Sequence, residues 1–93
     1  MMKSFPRRDR MRIYWDILLC IRDESKRGKI VLSRIQQKAN VPFDRLKIYL
    51  SELCEIGLIA DEKAYELTEK GRQYIAEYEK VLDFIKRMGL TYQ

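Results

Sequence analysis

The sequence predicts a mainly α fold with one small β-hairpin, and three observations carry that expectation. Two helical segments, Ser33 to Ala39 and Phe43 to Glu55, flank the short turn Asn40-Val-Pro42. Two apolar runs, Gly57-Leu-Ile59 and Ala64-Tyr-Glu-Leu67, follow on either side of Asp61-Glu-Lys63 and read as a hairpin. Thr68-Glu-Lys-Gly71 then opens a last helix.

Each element has a local reason. Residues 1–9 read as a flexible basic arm, because Pro6 discourages helix at Phe5 and Asp9 suits the cap of the first helix. That helix runs from about Arg10 to Lys26 and stops near Arg27-Gly28. Between Ile13 and Arg22 only Asp16 and the terminal Arg22 are polar, so the helix is apolar nearly all round. Such a helix needs cover on more than one side, supplied by the C-terminal helix or by a second subunit. Lys29-Ile-Val-Leu32 reads as a short strand between Gly28 and Ser33. Ser33 with Gln36 makes a capping box for the second helix, and Asn40 supplies the turn. Pro42 fits the first position of the third helix, residues 42–55, and Gly57 ends it. Thr68 caps the last helix, with Glu69 favourable at its positive end.

That last helix, from about Glu69 to Met88, carries Ile75, Tyr78, Leu82 and Ile85 at heptad spacing. Tyr74, Val81 and Met88 widen the seam. Some twenty residues of helix extend roughly 30 Å, longer than a small domain needs to close its own core. Residues 68–93 are therefore expected to join two copies into a homodimer through Ile75, Tyr78, Val81, Leu82, Ile85 and Met88. The alternative packs the whole stripe onto the first helix.

Helix, strand, helix, helix, strand, strand, helix is the plan of a winged helix-turn-helix, here over residues 10–67. That plan places its second helix in the DNA major groove. Charge agrees with the topology. Residues 1–47 hold 13 Lys/Arg and 5 Asp/Glu, a net of +8, while residues 48–93 hold 6 and 9, a net of −3. A basic first half suggests a face built for a polyanion.

On the third helix, Phe43, Leu46, Leu50, Leu53 and Cys54 are expected to form the core face. Asp44, Arg45, Ile48, Ser51, Glu52 and Glu55 oppose them, with Lys47 and Tyr49 at the borders. The expected base-reading set is Arg45, Lys47, Ile48 and Ser51. Arginine pairs with guanine through two hydrogen bonds, lysine reaches guanine or phosphate, and isoleucine meets a thymine methyl. Arg7, Arg8, Arg10, Arg12, Arg34, Lys38 and Lys63 are expected on the DNA backbone. The hairpin tip sets Lys63 beside two carboxylates, so its contacts should be weak.

The sequence excludes other classes. It has no histidine, no Gly-rich phosphate loop and no nucleophile beside a base, so an enzyme is not expected and no cofactor is implied. Cys20 and Cys54 lie far apart in sequence, which argues against a zinc site and for reduced thiols, although a disulfide between them stays open. The apolar run Ile17 to Ile21 is too short to span a bilayer, and no signal peptide is recognisable, so a cytoplasmic protein is expected.

Ala39-Asn-Val-Pro-Phe43, Tyr49-Leu-Ser-Glu-Leu-Cys-Glu-Ile-Gly-Leu-Ile59 and Tyr65-Glu-Leu-Thr-Glu-Lys-Gly71 together resemble the archaeal winged-helix regulators. The likeness is closest to the small dimeric chromatin-type members with a C-terminal coiled coil, and more general to the MarR and PadR groups. It covers roughly residues 10–88. It implies a homodimer joined through the last helix that binds double-stranded DNA, with Phe43 to Ser51 as the reading segment. Three functions follow as expectations: a sequence-specific transcriptional regulator, a non-specific nucleoid protein, or a winged helix used as a protein–protein module.

Overall fold

The computed structural model describes residues 8–61 and 63–90. Four helices form: α1 (Arg10–Lys26), α2 (Leu32–Ala39), α3 (Phe43–Ile56) and α4 (Glu69–Arg87). The helix ends follow local chemistry. The Asp9 carboxylate accepts from the Arg12 amide at the start of α1. Asn40 closes α2 in the left-handed conformation at φ 56, and Gly57 closes α3 at φ 92. The Thr68 hydroxyl accepts from the Gly71 amide to open α4 and donates to the Gly57 carbonyl, which ties the end of α3 to the start of α4.

The β part of the expected mainly α fold does not form: the described residues contain no strand and no hairpin wing. Its trace is one isolated antiparallel bridge, Ile59 to Leu67, with Ala60 N–H donating to Glu66 and Thr68 N–H to Leu58. Two features prevent a longer ladder. Leu58 and Ile59 are both buried, so the run lacks the alternation a half-exposed strand requires. Tyr65 adopts φ 53 and bends the returning segment while its amide donates to Asp61. The strand expected at Lys29–Leu32 does not form either. Leu32 enters α2, extended Val31 is its N-cap, and no side chain caps it, so Ser33 lies inside the helix and makes no capping box.

The core surrounds α1. Tyr14, Ile17, Leu18, Cys20 and Ile21 are buried, and the helix packs against α2 and α4. The extra cover that α1 needs thus comes from α4. Trp15 donates its indole N–H to the Ile75 carbonyl at 3.2 Å, its ring lies 5.8 Å from that of Tyr78, and Tyr74 donates to the Met11 carbonyl at 2.6 Å. Burial pushes the Tyr74 hydroxyl up to about 12. Beyond Tyr78 the helix runs past its support. Val81, Phe84 and Met88 are exposed while Leu82 and Ile85 are half-buried. Cys20 and Cys54 are free thiols, and burial raises Cys20 to about 11. No helix among the described residues is long and apolar enough to cross a membrane.

Candidate nucleic-acid interface

α3 presents its outward arc after a turn that is held from several sides. Leu46, Tyr49, Leu50 and Leu53 are buried and define its inner face. Phe43 is 44% exposed, and Tyr49 takes the place that Phe43 was expected to fill. At about 100° per residue this rotates the buried face by about 40° from the expected one. Tyr49 is drawn inward by partners far away in sequence. Its ring meets that of Tyr14 edge-on at 6.2 Å, and the Arg10 guanidinium lies over it at 5.7 Å.

Arg10 also holds Glu52 through both carboxylate oxygens, at 3.0 and 2.9 Å, and the Tyr14 hydroxyl donates to the same carboxylate at 2.5 Å. Burial, and then the bond to Glu52, raise the Tyr14 hydroxyl above its usual range. These contacts fix the rotation of α3 against α1. Arg8 fixes the turn that precedes α3. Its guanidinium donates to the Ala39 and Asn40 carbonyls at 2.6 and 2.7 Å and pairs with Asp16 at 2.9 Å.

A third cluster sets the pose of α2. Glu24 is fully buried on α1 and receives Arg34 Nε and Lys38 Nζ, each at 2.8 Å. Hydrogen bonds from Arg34, then from Lys38, hold its carboxyl down at about 2 against the opposing effect of burial. A buried carboxylate is tolerated here because both its oxygens are paired. The triad keeps one net positive charge. Because only Nε of Arg34 meets Glu24, its two terminal nitrogens are available to another acceptor.

The expected DNA-facing residues therefore divide. Arg45 is exposed and carries no ion pair among the described residues. It borders a shallow cleft of about 270 Å³ with Arg8, Ile13, Val41, Pro42 and Tyr49. Lys47 is exposed, with its ammonium 5.7 Å from the centre of the Phe43 ring. Ile48 is 54% exposed and Ser51 is half-buried. Of the backbone set, Arg8, Arg10, Arg12, Arg34 and Lys38 are each paired with a carboxylate of their own chain, Arg12 with Asp16 at 3.3 Å. Lys63 is exposed, in the turn that its amide forms with Asp61. Arg7 lies outside the described residues. Of the expected dimer residues, Ile75 and Tyr78 lie in the chain's own core, and Val81 and Met88 are exposed.

Sequence reasoning gave no role to Glu24 or Asp16 and placed Glu52 only on the outer face of the third helix. It also missed the exposure of Phe43. A family model described as winged helix-turn-helix matches residues 7–86. No curated protein and no solved structure matches the chain.

Proposed function

The chain belongs to the winged helix-turn-helix family, and on that premise we propose that it binds duplex DNA as a sequence-specific transcriptional regulator, with α3 in the major groove. The observation that carries this reading is the N-terminal half of α3, where Arg45, Lys47 and Ile48 stand exposed together. In helix-turn-helix proteins that end of the second helix approaches base edges. Arg45 pairs with guanine, Lys47 reaches guanine or phosphate, Ile48 meets a thymine methyl and Ser51 accepts or donates at the rim. Arg34 extends its terminal nitrogens to a phosphate while Glu24 holds its Nε. The absence of a wing among the described residues concentrates recognition on α2 and α3.

For assembly, the reading follows the resemblance to the small dimeric archaeal members. The C-terminal half of α4 joins two copies through Val81, Leu82, Ile85 and Met88, which find no full cover within one chain. Two recognition helices then engage one duplex face about 34 Å apart. A second reading, a protein-binding module, is favoured by one observation: Asp44, Ile48 and Glu55 occupy the middle of the outward arc of α3. Titrating a random duplex with the full chain at rising salt separates the two. Binding that weakens steeply with salt supports DNA recognition, and no binding at low salt supports the protein module.

A further inference from the structure

Resting on the reading of α3 as a DNA-reading helix, we infer that Phe43 is a specificity-determining residue that recognises the 5-methyl group of thymine in the major groove. Phe43 is the first residue of α3, and it is 44% exposed and lies outside the core cluster. Side chains of a helix tilt toward its N-terminus, so the first residue projects beyond the helix end toward whatever that end approaches. One turn on, the Lys47 ammonium sits over the ring at 5.7 Å. An apolar ring and a cation are thus held side by side at the end of the helix that meets the bases.

The chemistry of the groove supplies the ligand. Among the base-pair edges exposed in the major groove, the thymine methyl is the one apolar group, and the rest are hydrogen-bond donors and acceptors. A phenyl ring against that methyl gains an apolar contact that adenine, guanine and cytosine do not offer. Single exposed apolar residues are common on protein surfaces. Phe43 differs from that background by its place at the reading end and by its contact with Lys47. Ile48, 54% exposed one turn further along, stands on another side of the helix and would meet a different base pair.

The experiment removes the methyl alone. Duplexes are enriched from a random-sequence pool by binding to the full chain, and the enriched sequence is synthesised with each thymine changed in turn to deoxyuridine. Fluorescence anisotropy gives the affinity of each duplex for the wild type, Phe43→Ala, Phe43→Leu and Ile48→Ala. At one thymine or more, loss of the methyl should weaken wild-type binding about fourfold, the scale of one buried methyl-sized group. Phe43→Ala should abolish that difference at one thymine and Phe43→Leu should keep part of it there, while Ile48→Ala should act at a different thymine. Equal binding of thymine and deoxyuridine duplexes by the wild type overturns the inference and leaves DNA binding intact. Discrimination that survives Phe43→Ala at every thymine overturns it as well. Failure to enrich any duplex at low salt is a different result, because it removes the DNA reading and this inference together.

Discussion

The guanidinium of Arg8 donates to the backbone carbonyl of Asn40 at 2.7 Å, and so a residue that precedes α1 grips the turn between α2 and α3. Asn40 sits there at φ 56, and its amide donates back to the carbonyl of Gln37. The same guanidinium satisfies the Ala39 carbonyl, one of the acceptors that the end of α2 leaves without a helical partner. Read from sequence, Arg8 belonged to an arm laid on phosphate. In the fold it sets the angle at which α3 leaves the turn.

A positioning role for Arg8 has a distinct signature. Arg8→Ala should destabilise the fold by about 1–2 kcal/mol, the scale of a charge-assisted hydrogen bond at a half-buried site. It should weaken duplex binding at every salt concentration by the same factor. The slope of log affinity against log salt should stay at its wild-type value, because no phosphate contact is lost. A slope shallower by about one would place Arg8 on the phosphate backbone instead.

Glu24 predicts a pH dependence. Its carboxyl is held at about 2 in the folded chain against an ordinary value of 4.5. A depressed folded value means that the stabilisation is fully present above about 4.5 and is lost as pH falls from there towards about 2. Urea midpoints measured at pH 7, 4.5 and 3 should fall more steeply for the wild type than for Glu24→Gln across the acid interval. Parallel curves would show that the pairs with Arg34 and Lys38 do not control acid stability.

Gly71 marks a close approach between the first turn of α4 and the segment after α3. A Cβ at this position would stand 2.2 Å from the Leu58 carbonyl oxygen and 3.3 Å from Leu67 Cδ2. The backbone atom cannot swing aside as a side chain would. Gly71→Ala should therefore cost about 1–3 kcal/mol by urea denaturation. An unchanged midpoint would mean that α4 can shift freely on the loop beneath it.

Much of this fold was legible in the sequence wherever a local signal decided the outcome. Asp9, Gly57 and Thr68 act within a few residues, and the ends of α1, α3 and α4 fall within a residue or two of where they point. The second helix lies within one residue of its expected start, but its uncapped beginning, the strand expected before it and the hairpin were not legible. Val31 and Leu32 favour a strand by composition, but a strand needs a partner, and the bend at Tyr65 leaves a single bridge. At the site, the exposure of Arg45, Lys47 and Ile48 follows from helical periodicity alone. The pairs Arg10 with Glu52, and Arg34 and Lys38 with Glu24, join residues on different helices, and no spacing rule reveals them. The exchange of Phe43 for Tyr49 has the same origin, since Tyr14 and Arg10 of another helix settle which aromatic turns inward.

The C-terminal half of α4 tests the assembly. Val81 and Met88 are 45% and 53% exposed, so replacing both with Glu should leave the core intact. Light scattering of the wild type should give twice the chain mass of 11.2 kDa, and the doubly substituted protein should give the chain mass itself. A wild type that stays monomeric at micromolar concentration would remove α4 as the joining element.

The most direct measurement is the salt dependence of wild-type binding to a labelled random duplex. Arg45, Lys47 and the singly positive Glu24 triad give three effective cations per subunit, and two subunits give about six. Log affinity should then fall linearly with log salt at a slope of about −5, and Arg45→Ala with Lys47→Ala should flatten it markedly. No binding at low salt, or a wild-type slope near zero, would contradict the proposal that α3 recognises DNA.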